Sequence, residues 1–312
     1  MNKEEEVKTT GGVFSADSRA IVVANICDVF NCTEDDIFDL TPVQKGLTNI
    51  VLSFFVNGTK YIYRHPGLGS DSLVDRGRET IMQLEAGFCG ADTSLVAMSV
   101  RNGWRISRFV ENVPFDYHDE YHRAKAILLL RKLHQSKVTA RWEFDILEKI
   151  EQLKSLIPQS IYGHQFSDFH EIDERCRKLF SLSKTDGVAK CFCHGDCRDE
   201  NFLINSESIT LIDWEYSGYC DPGFDIGSYI CGGEHSDEDI DDVLYLYFGR
   251  TPTFLERRHF LNYIALTGFF YMHWTMYKEY CGQEVGILKK YWHAYAARYS
   301  VIALQMYQKE KQ

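Results

Sequence analysis

The chain has 312 residues, of which 45% are apolar and 25% are charged, the profile of a globular protein with a sizeable core. Its formal net charge of −11 argues against non-specific nucleic-acid binding, because such binding requires a basic surface. No apolar stretch approaches the roughly 18 residues that a membrane-spanning helix needs, so no membrane segment is expected.

The N-terminal stretch MNKEEEVKTTGG lacks the apolar core of a secretory signal. We therefore expect a cytoplasmic protein whose ten cysteines are reduced thiols rather than a disulfide framework. Residues 1–15 are predicted to form a loose polar tail. SRAIVVANICDVF predicts a helix, and in the following TEDDIF the threonine Thr33 is a candidate N-cap with acidic residues behind it.

The next part of the chain has the composition of β-strands. KGLTNIVLSFFV and TKYIYRHPG are joined by Asn57-Gly58, a strong signal for a two-residue hairpin. DSLVDRGRETIMQLEAGF has helical periodicity, and a second hairpin is predicted where Asn102-Gly103 separates SLVAMSV from WRISRFVEN.

From about Glu111 onward the pattern is mainly helical, interrupted by short strands in VAKCFCHGD and SITLIDWE. The order of elements predicts an α+β, bilobal fold. Its parts are an N-terminal tail and helical extension over 1–40, a small β-rich N-terminal lobe over 41–110, and a larger, mostly helical C-terminal lobe over 111–312.

Residues 189–204, AKCFCHGDCRDENFLI, contain several potential metal ligands. The C-x-C-H-x-x-C pattern stands alone, whereas structural zinc sites usually use two ligand pairs separated by about a dozen residues or more. A strand through VAKCFC would also direct Cys191 and Cys193 to the same face, towards the core. The sequence therefore disfavours a zinc site here.

The same stretch contains His194, Asp196 and Asn201 in the H-x-D-x-x-x-x-N spacing that kinases use. In that arrangement Asp196 accepts the proton of an attacking hydroxyl, and Asn201 holds a metal ion against the phosphates. Asp213 follows at the end of the strand predicted in SITLIDWE, where its carboxylate could coordinate Mg²⁺.

The N-terminal half must then supply contacts to the phosphates of a nucleotide. No G-x-x-x-x-G-K-[ST] loop occurs, which argues against a P-loop NTPase. The turn K-G-L-T-N could present backbone N–H groups at Gly46, Thr48 and Asn49, although a simple turn explains it equally well. Arg64 could reach the phosphates with Glu79 as its ion-pair partner, and a surface Arg–Glu pair is the alternative.

Four stretches together resemble the choline/ethanolamine kinase family, especially its bacterial choline kinases: KGLTN, YIYRHPG, CHGDCRDENFL and LIDWEYSGYCDPGFDIG. The family is similar in fold to aminoglycoside phosphotransferases and protein kinases, and the resemblance runs from about Thr41 to the C-terminus. It implies a base at Asp196 and Mg²⁺ ligands at Asn201 and Asp213. It places the other functional positions at Arg64 and Glu79 (phosphate clamp), the exit strand around Phe109–Glu111 (adenine), His194 (bracing the loop) and Asp225 (structural).

The reaction implied by the resemblance is transfer of the γ-phosphoryl group of ATP to the hydroxyl of choline. A quaternary ammonium cannot donate hydrogen bonds, so its recognition needs an aromatic cage and negative potential. Tyr271 and Trp274 match the paired aromatics of the family, Tyr216 and Glu215 could add a wall and a charge, and Trp292 is a further candidate. Core packing is the alternative for such an aromatic stripe. The family often has tryptophan where Tyr271 stands. This difference weakens the preference for choline over a smaller amine as the predicted substrate.

Ethanolamine kinase and an aminoglycoside-type phosphotransferase are the alternatives among enzymes. A non-catalytic kinase-like binding module is a different class, but such proteins usually lose the base or a metal ligand. Asp196, Asn201 and Asp213 are all present here. The expected partners are therefore ATP with Mg²⁺ and a small amino alcohol, without nucleic acid or membrane.

Overall fold

A computed structural model describes residues 7–9, 12–14, 16–43, 50–65, 75–138 and 142–309. The chain divides into two compact units, Met1–Val113 and Pro114–Gln312. In these described ranges no helix combines the length and the apolar character needed to cross a bilayer. All ten cysteines are free thiols, as expected.

The first described residues of the N-terminal unit form regular structure, whereas we predicted a loose tail for them. Strands β1 (Val7–Thr9) and β2 (Gly12–Phe14) pair antiparallel, and helix α1 (Ala16–Phe30) follows. The tail prediction was wrong for these residues. It was based on the charged residues, although the stretch also contains valine and threonine, which are common in strands.

A five-stranded antiparallel sheet forms the rest of this unit, in the order β3-β4-β5-β7-β6. Its first hairpin turns at Asn57 and Gly58, whose φ angles of 50° and 72° are those of a two-residue turn with both central residues left-handed, so that prediction is confirmed. Helix α1 packs on the sheet through Val22 and Ile26. The strands are β3 (Phe38–Pro42), β4 (Ile50–Val56), β5 (Thr59–His65), β6 (Leu95–Met98) and β7 (Arg105–Arg108), with helix α2 (Arg76–Cys89) between β5 and β6.

The C-terminal unit holds four short strands in two antiparallel pairs. β8 (Cys191–Cys193) pairs with β11 (Gly218–Cys220), and β9 (Phe202–Ile204) pairs with β10 (Ile209–Leu211). The two segments that connect these pairs, 194–201 and 212–217, carry the predicted catalytic and metal-binding residues.

Helices make up the bulk of the C-terminal unit. The longest, α8, is buried along most of its length and packs against α4, α5, α6 and α9. The helices are α3 (Glu120–His134), α4 (Ile146–Ser155), α5 (Phe169–Ser183), α6 (Pro222–Cys231), α7 (Asp237–Phe248), α8 (Phe254–Tyr280) and α9 (Leu288–Lys309). The chain is thus mixed α and β, as predicted.

A buried charged cluster ties α8 to the segment after α5 and to the start of α6. The imidazole of His259 donates to Asp186 at 2.8 Å and to Asp221 at 2.9 Å, and Asp186 also accepts from Arg258 at 2.6 Å. Burial on its own would lower the pKa of His259, but the two carboxylates outweigh it and raise that pKa to about 9. His259 is therefore a buried cation at neutral pH.

We expect the free energy of unfolding to fall as the pH rises from about 6.5 to about 9. The unfolded histidine has a pKa near 6.5 and the folded one near 9, so the folded state binds the extra proton between these values. The stabilisation is complete below pH 6.5 and is lost as the pH passes through 9, with a size on the order of 2–3 kcal/mol. Urea unfolding of wild type and His259→Gln across this range measures it. An identical pH slope in the two proteins would contradict the assignment.

Candidate active site

The segment that joins β8 to β9 begins with a turn that requires glycine. Gly195 has φ +86°, and a Cβ atom placed on it would lie 2.5 Å from the carbonyl oxygen of Tyr216. A side chain at this position would therefore meet both backbone strain and a clash with backbone. The turn brings the chain close to the β10–β11 connection, directly before Asp196.

His194 connects the two functional segments of the C-terminal unit. Its buried ring donates from Nε2 to the carbonyl of Ile212 at 2.9 Å and accepts at Nδ1 from the backbone N–H of Asp196 at 3.1 Å. One imidazole thus fixes both the backbone of the candidate base and the residue before Asp213. These hydrogen bonds are compatible with the bracing role that we predicted for His194.

Asp225, in α6, holds the same loop from the other side. Its carboxylate accepts from the backbone N–H groups of His194 at 2.8 Å and Gly195 at 2.6 Å, and from Nε2 of His134 at 2.9 Å. Burial acts to raise the pKa of this carboxyl, but the His134 hydrogen bond and the neighbouring imidazoles and amide lower it overall. Asp225 is fully buried, which is compatible with the structural role that we predicted.

The carboxylate of Asp196 is half-buried and held by three side-chain donors. Oδ1 accepts from Nε of Arg198 at 3.0 Å and from the hydroxyl of Tyr271 at 2.9 Å, and Oδ2 accepts from Nδ2 of Asn201 at 2.9 Å. Nδ2 of Asn201 also donates to the carbonyl of Asp196 at 2.8 Å. The amide nitrogen of Asn201 is thereby committed to Asp196, which leaves its Oδ1 as the atom that can face a cation.

Arg198 is a site residue that the sequence reasoning missed. Its largely buried guanidinium pairs with Asp196 and with Glu200. The sequence does indicate this pairing. Arg198 lies two residues after Asp196 and is followed by two acidic residues, so it has few other partners within reach. Arg198 compensates part of the negative charge that three carboxylates within five residues would otherwise concentrate.

Asp213 is placed beside Asn201 by the β9–β10 pair, since the N–H of Ile212 donates to the carbonyl of Asn201 at 2.9 Å. Asp213 has φ +73°, a left-handed conformation that is uncommon for any residue other than glycine. Strain of this kind is concentrated at functional positions. An amide oxygen and a carboxylate on neighbouring turns are hard oxygen donors, the set that Mg²⁺ prefers.

The N-terminal unit contains the predicted ion pair. Nη1 of Arg64 donates to Glu79 at 3.2 Å, and both side chains are buried, so the pair is not a surface one. Arg76, which the sequence reasoning missed, donates to the other oxygen of Glu79 at 2.8 Å. One carboxylate therefore binds two guanidinium groups. The predicted phosphate-loop residues Gly46, Thr48 and Asn49 lie outside the described residues.

The predicted adenine contact falls just after β7. Phe109 donates its backbone N–H to the carbonyl of Lys60 at 3.0 Å, and its ring lies 4.0 Å from the Lys60 ammonium. Its N–H is thus used within the sheet. Glu111 is exposed. If this segment receives a base, the N–H of Phe109 is not the donor.

The predicted aromatic residues come together in the C-terminal unit. Nε1 of Trp274 donates to the hydroxyl of Tyr216 at 3.0 Å. The centroid of the Trp292 ring lies 4.8 Å from the Tyr271 centroid and 5.9 Å from the Trp274 centroid. Trp292 is only 1% exposed and donates to the carbonyl of Cys231, so packing explains it. The half-buried Tyr216 and the 8%-exposed Trp274 are the better wall candidates.

Tyr271 has contacts beyond those expected of a cage residue. Its ring is 4% exposed, and its hydroxyl donates to Asp196 while it is paired with Ser228 at 2.7 Å. Ser228 in turn accepts from the backbone N–H of Cys197 at 2.6 Å. Tyr271 therefore orients the candidate base through its hydroxyl, a role that the tryptophan common in the family could not fill in this way.

A lysine lies near the aromatic group. The ammonium of Lys278 is 5.2 Å from the centre of the Trp274 ring. Burial lowers the pKa of Lys278, and the negative charge of the half-buried Glu215 acts in the opposite direction. The Trp274 ring therefore already lies near one positive group. The negative charge of Glu215 acts on that same ammonium.

Comparisons with known proteins identify the family of this chain. The model of the family described as "Choline/ethanolamine kinase" matches residues 40–265. Protein LicA of Haemophilus influenzae (strain Rd) is 25% identical over 255 residues, which cover 77% of this chain and 93% of that protein. A probable ethanolamine kinase of Arabidopsis thaliana is 25% identical over 248 residues, 74% of this chain and 63% of that protein.

Among solved structures, the choline kinase LicA of Streptococcus pneumoniae has a TM-score of 0.75 to this chain. The two are 21% identical, and the match covers 93% of this chain and 99% of that one. The predicted kinase-like fold is confirmed by this likeness.

Proposed function

Since the chain belongs to the choline/ethanolamine kinase family, a family of small-molecule kinases, we propose that it transfers the γ-phosphoryl group of ATP to the hydroxyl of choline. The observation that carries the proposal is the hydrogen bond from Tyr271 to Asp196. Through it the candidate base joins the aromatic group in which Trp274 contacts Tyr216, so base and cation-binding wall belong to one cluster.

Each residue of the loop has a distinct part in this reaction. Asp196 takes the proton of the choline hydroxyl, and its three hydrogen-bond donors hold it in one orientation. Asn201 and Asp213 would hold Mg²⁺, which neutralises charge on the phosphates when it is bound. Arg64, itself held by Glu79, would contribute the phosphate clamp. Catalysis of this kind consists mainly of positioning and charge neutralisation.

The aromatic cluster is what favours choline over ethanolamine. A trimethylammonium group gains from aromatic faces and cannot use hydrogen-bond acceptors, whereas a primary ammonium needs them. Trp274 and Tyr216 supply the faces, and Glu215 supplies negative charge next to them. An aminoglycoside would require several carboxylates around the acceptor position instead of this aromatic group.

Steady-state kinetics with a coupled assay of ADP release test the proposal. The acceptors compared are choline, ethanolamine and a panel of aminoglycosides, with Mg²⁺ and ATP saturating. We expect the highest kcat/KM with choline. A higher value with ethanolamine would make the protein an ethanolamine kinase, and turnover restricted to aminoglycosides would overturn the proposal.

We expect Trp274→Leu to raise the KM for choline about tenfold while the KM for ATP stays within about twofold, because only choline uses the indole face. Trp292→Phe is the matched control, since that side chain is buried and packs against the same cluster. The control should lower the stability without a selective effect on choline. Equal changes in both KM values for Trp274→Leu would indicate that this residue is a packing residue too.

A further inference from the structure

A group of thiols and an imidazole in the C-terminal unit is not used by the proposed phosphoryl transfer. Cys191 and Cys193 lie on β8, and His134 is the last residue of α3. The two Sγ atoms are 3.6 Å apart, and the ligand atoms of all three residues lie within 4.8 Å of one another. The sequence pattern C-x-C-H-x-x-C did not include His134, which comes from a distant helix.

The spacing of the two sulfurs is that of a zinc dithiolate. With Zn–S bonds of about 2.3 Å and tetrahedral angles, two bound sulfurs are about 3.8 Å apart, and a bound sulfur and imidazole nitrogen are about 3.6 Å apart. The sulfurs of Cys191 and Cys193 already have this separation. The nearer imidazole nitrogen of His134 lies within 4.8 Å of both sulfurs, so binding would draw the imidazole and the sulfurs closer together.

The surroundings of His134 are those of a metal-bound histidine. Its Nε2 donates to Asp225 at 2.9 Å, and because a carboxylate can only accept, the hydrogen on Nε2 is fixed. The other nitrogen, Nδ1, is 2.8 Å from the hydroxyl of Tyr247, which a bound cation would displace. A carboxylate that holds the remote nitrogen of a histidine is the usual outer partner of a zinc ligand.

The thiols are also suited to bind a metal. Cys191 is half-buried, so it can be reached from solvent. Its Sγ atom lies beside that of Cys193, so both sulfurs can bind one ion as thiolates. Cys220 is paired with Cys191 on the neighbouring strand, but its thiol is not among the three ligand groups that lie within 4.8 Å of one another.

We propose that Cys191, Cys193 and His134 form a site for one Zn²⁺ ion, with water in the fourth position. Two sulfurs and an imidazole are soft donors that select Zn²⁺ over Mg²⁺, so the site is chemically distinct from the oxygen donors Asn201 and Asp213. It is also independent of the proposed acceptor, since none of its three ligands contacts the aromatic cluster in the described residues. Asp225 alone is shared, because it binds both His134 and the loop backbone.

Metal titration of the full chain, reduced and stripped with a chelator, tests this site. We expect one equivalent of Zn²⁺ to bind in the presence of millimolar Mg²⁺. Co²⁺ should give the near-ultraviolet band of sulfur-to-cobalt charge transfer, and Zn²⁺ should abolish that band. Cys193→Ser should remove the band and weaken Zn²⁺ binding at least about 100-fold. Cys89→Ser and Cys281→Ser are matched controls, since these thiols lie outside the cluster, and both should bind like wild type.

Alkylation followed by peptide mass mapping provides a readout that does not depend on a variant. Stoichiometric Zn²⁺ should protect Cys191 from alkylation at least about tenfold, while the exposed Cys281 reacts at an unchanged rate. The proposal is overturned if wild type shows neither the charge-transfer band nor protection. It is also overturned if Cys193→Ser, folded as judged by circular dichroism, binds Zn²⁺ like wild type. Ready formation of a Cys191–Cys193 disulfide without metal binding would identify a redox pair instead.

Discussion

Replacing Asp196 with asparagine is expected to lower kcat about 10³-fold with choline as acceptor, while the KM for ATP changes little. The amide cannot take the proton of the attacking hydroxyl, although its oxygen can still accept from Tyr271 and Arg198, as Oδ1 does now. The amide NH₂ would face Nδ2 of Asn201, so one hydrogen bond is lost. The loss of the base, rather than a change in fold, should therefore dominate.

Tyr271→Phe is the matched control for this experiment. It retains the Asp196 carboxylate and the aromatic ring but removes the hydroxyl that donates to Oδ1. We expect about a tenfold loss of kcat, since two of the three donors remain and only the orientation of the base is weakened. Turnover by Asp196→Asn within tenfold of wild type would show that another group accepts the proton.

Replacing Asp225 with alanine is expected to lower the free energy of unfolding by about 3–5 kcal/mol. The substitution leaves the N–H groups of His194 and Gly195 and the imidazole of His134 without their acceptor in a fully buried place. The three donors have no route to water, so the cost of desolvating each of them is no longer offset. Urea unfolding monitored by circular dichroism measures the change.

Two comparisons make that result interpretable. Asp225→Asn keeps the shape and one accepting oxygen, so it should lose less stability than the alanine variant. Asp241→Ala removes a solvent-exposed carboxylate that pairs with Arg257, and it should cost less than about 1 kcal/mol. If Asp225→Ala proved as stable as Asp241→Ala, the loop would not depend on the Asp225 carboxylate.

The sequence predicted the features that depend on local chemistry. Asn57-Gly58 indicated a hairpin because few other residue pairs tolerate two left-handed positions, and the structure has that turn. The spacing of His194, Asp196 and Asn201 also predicted their proximity, because a single short loop carries all three. Such patterns depend on neighbours in the chain, which a sequence states directly.

The features that the sequence did not predict arise from contacts between distant elements. Arg76 joins Arg64 on Glu79, the Tyr271 hydroxyl reaches Asp196, and His134 reaches the cysteines of β8. Neither the 3.6-residue nor the two-residue period encodes which side chains of separate helices and strands meet. Tyr271 shows this most clearly, since helical spacing placed it correctly beside Trp274 but could not reveal where its hydroxyl points.

The hydrogen bonds of His194 and Asp225 have a consequence for motion. The amide hydrogens of His194 and Gly195 both bind a fully buried carboxylate, and the His194 ring links to the adjoining segment. Opening this loop alone would break these three buried bonds together, so these amides should exchange with deuterium only when the whole C-terminal unit unfolds. The candidate base is therefore carried on one of the least mobile parts of the unit, and whatever movement admits the acceptor must occur in other segments.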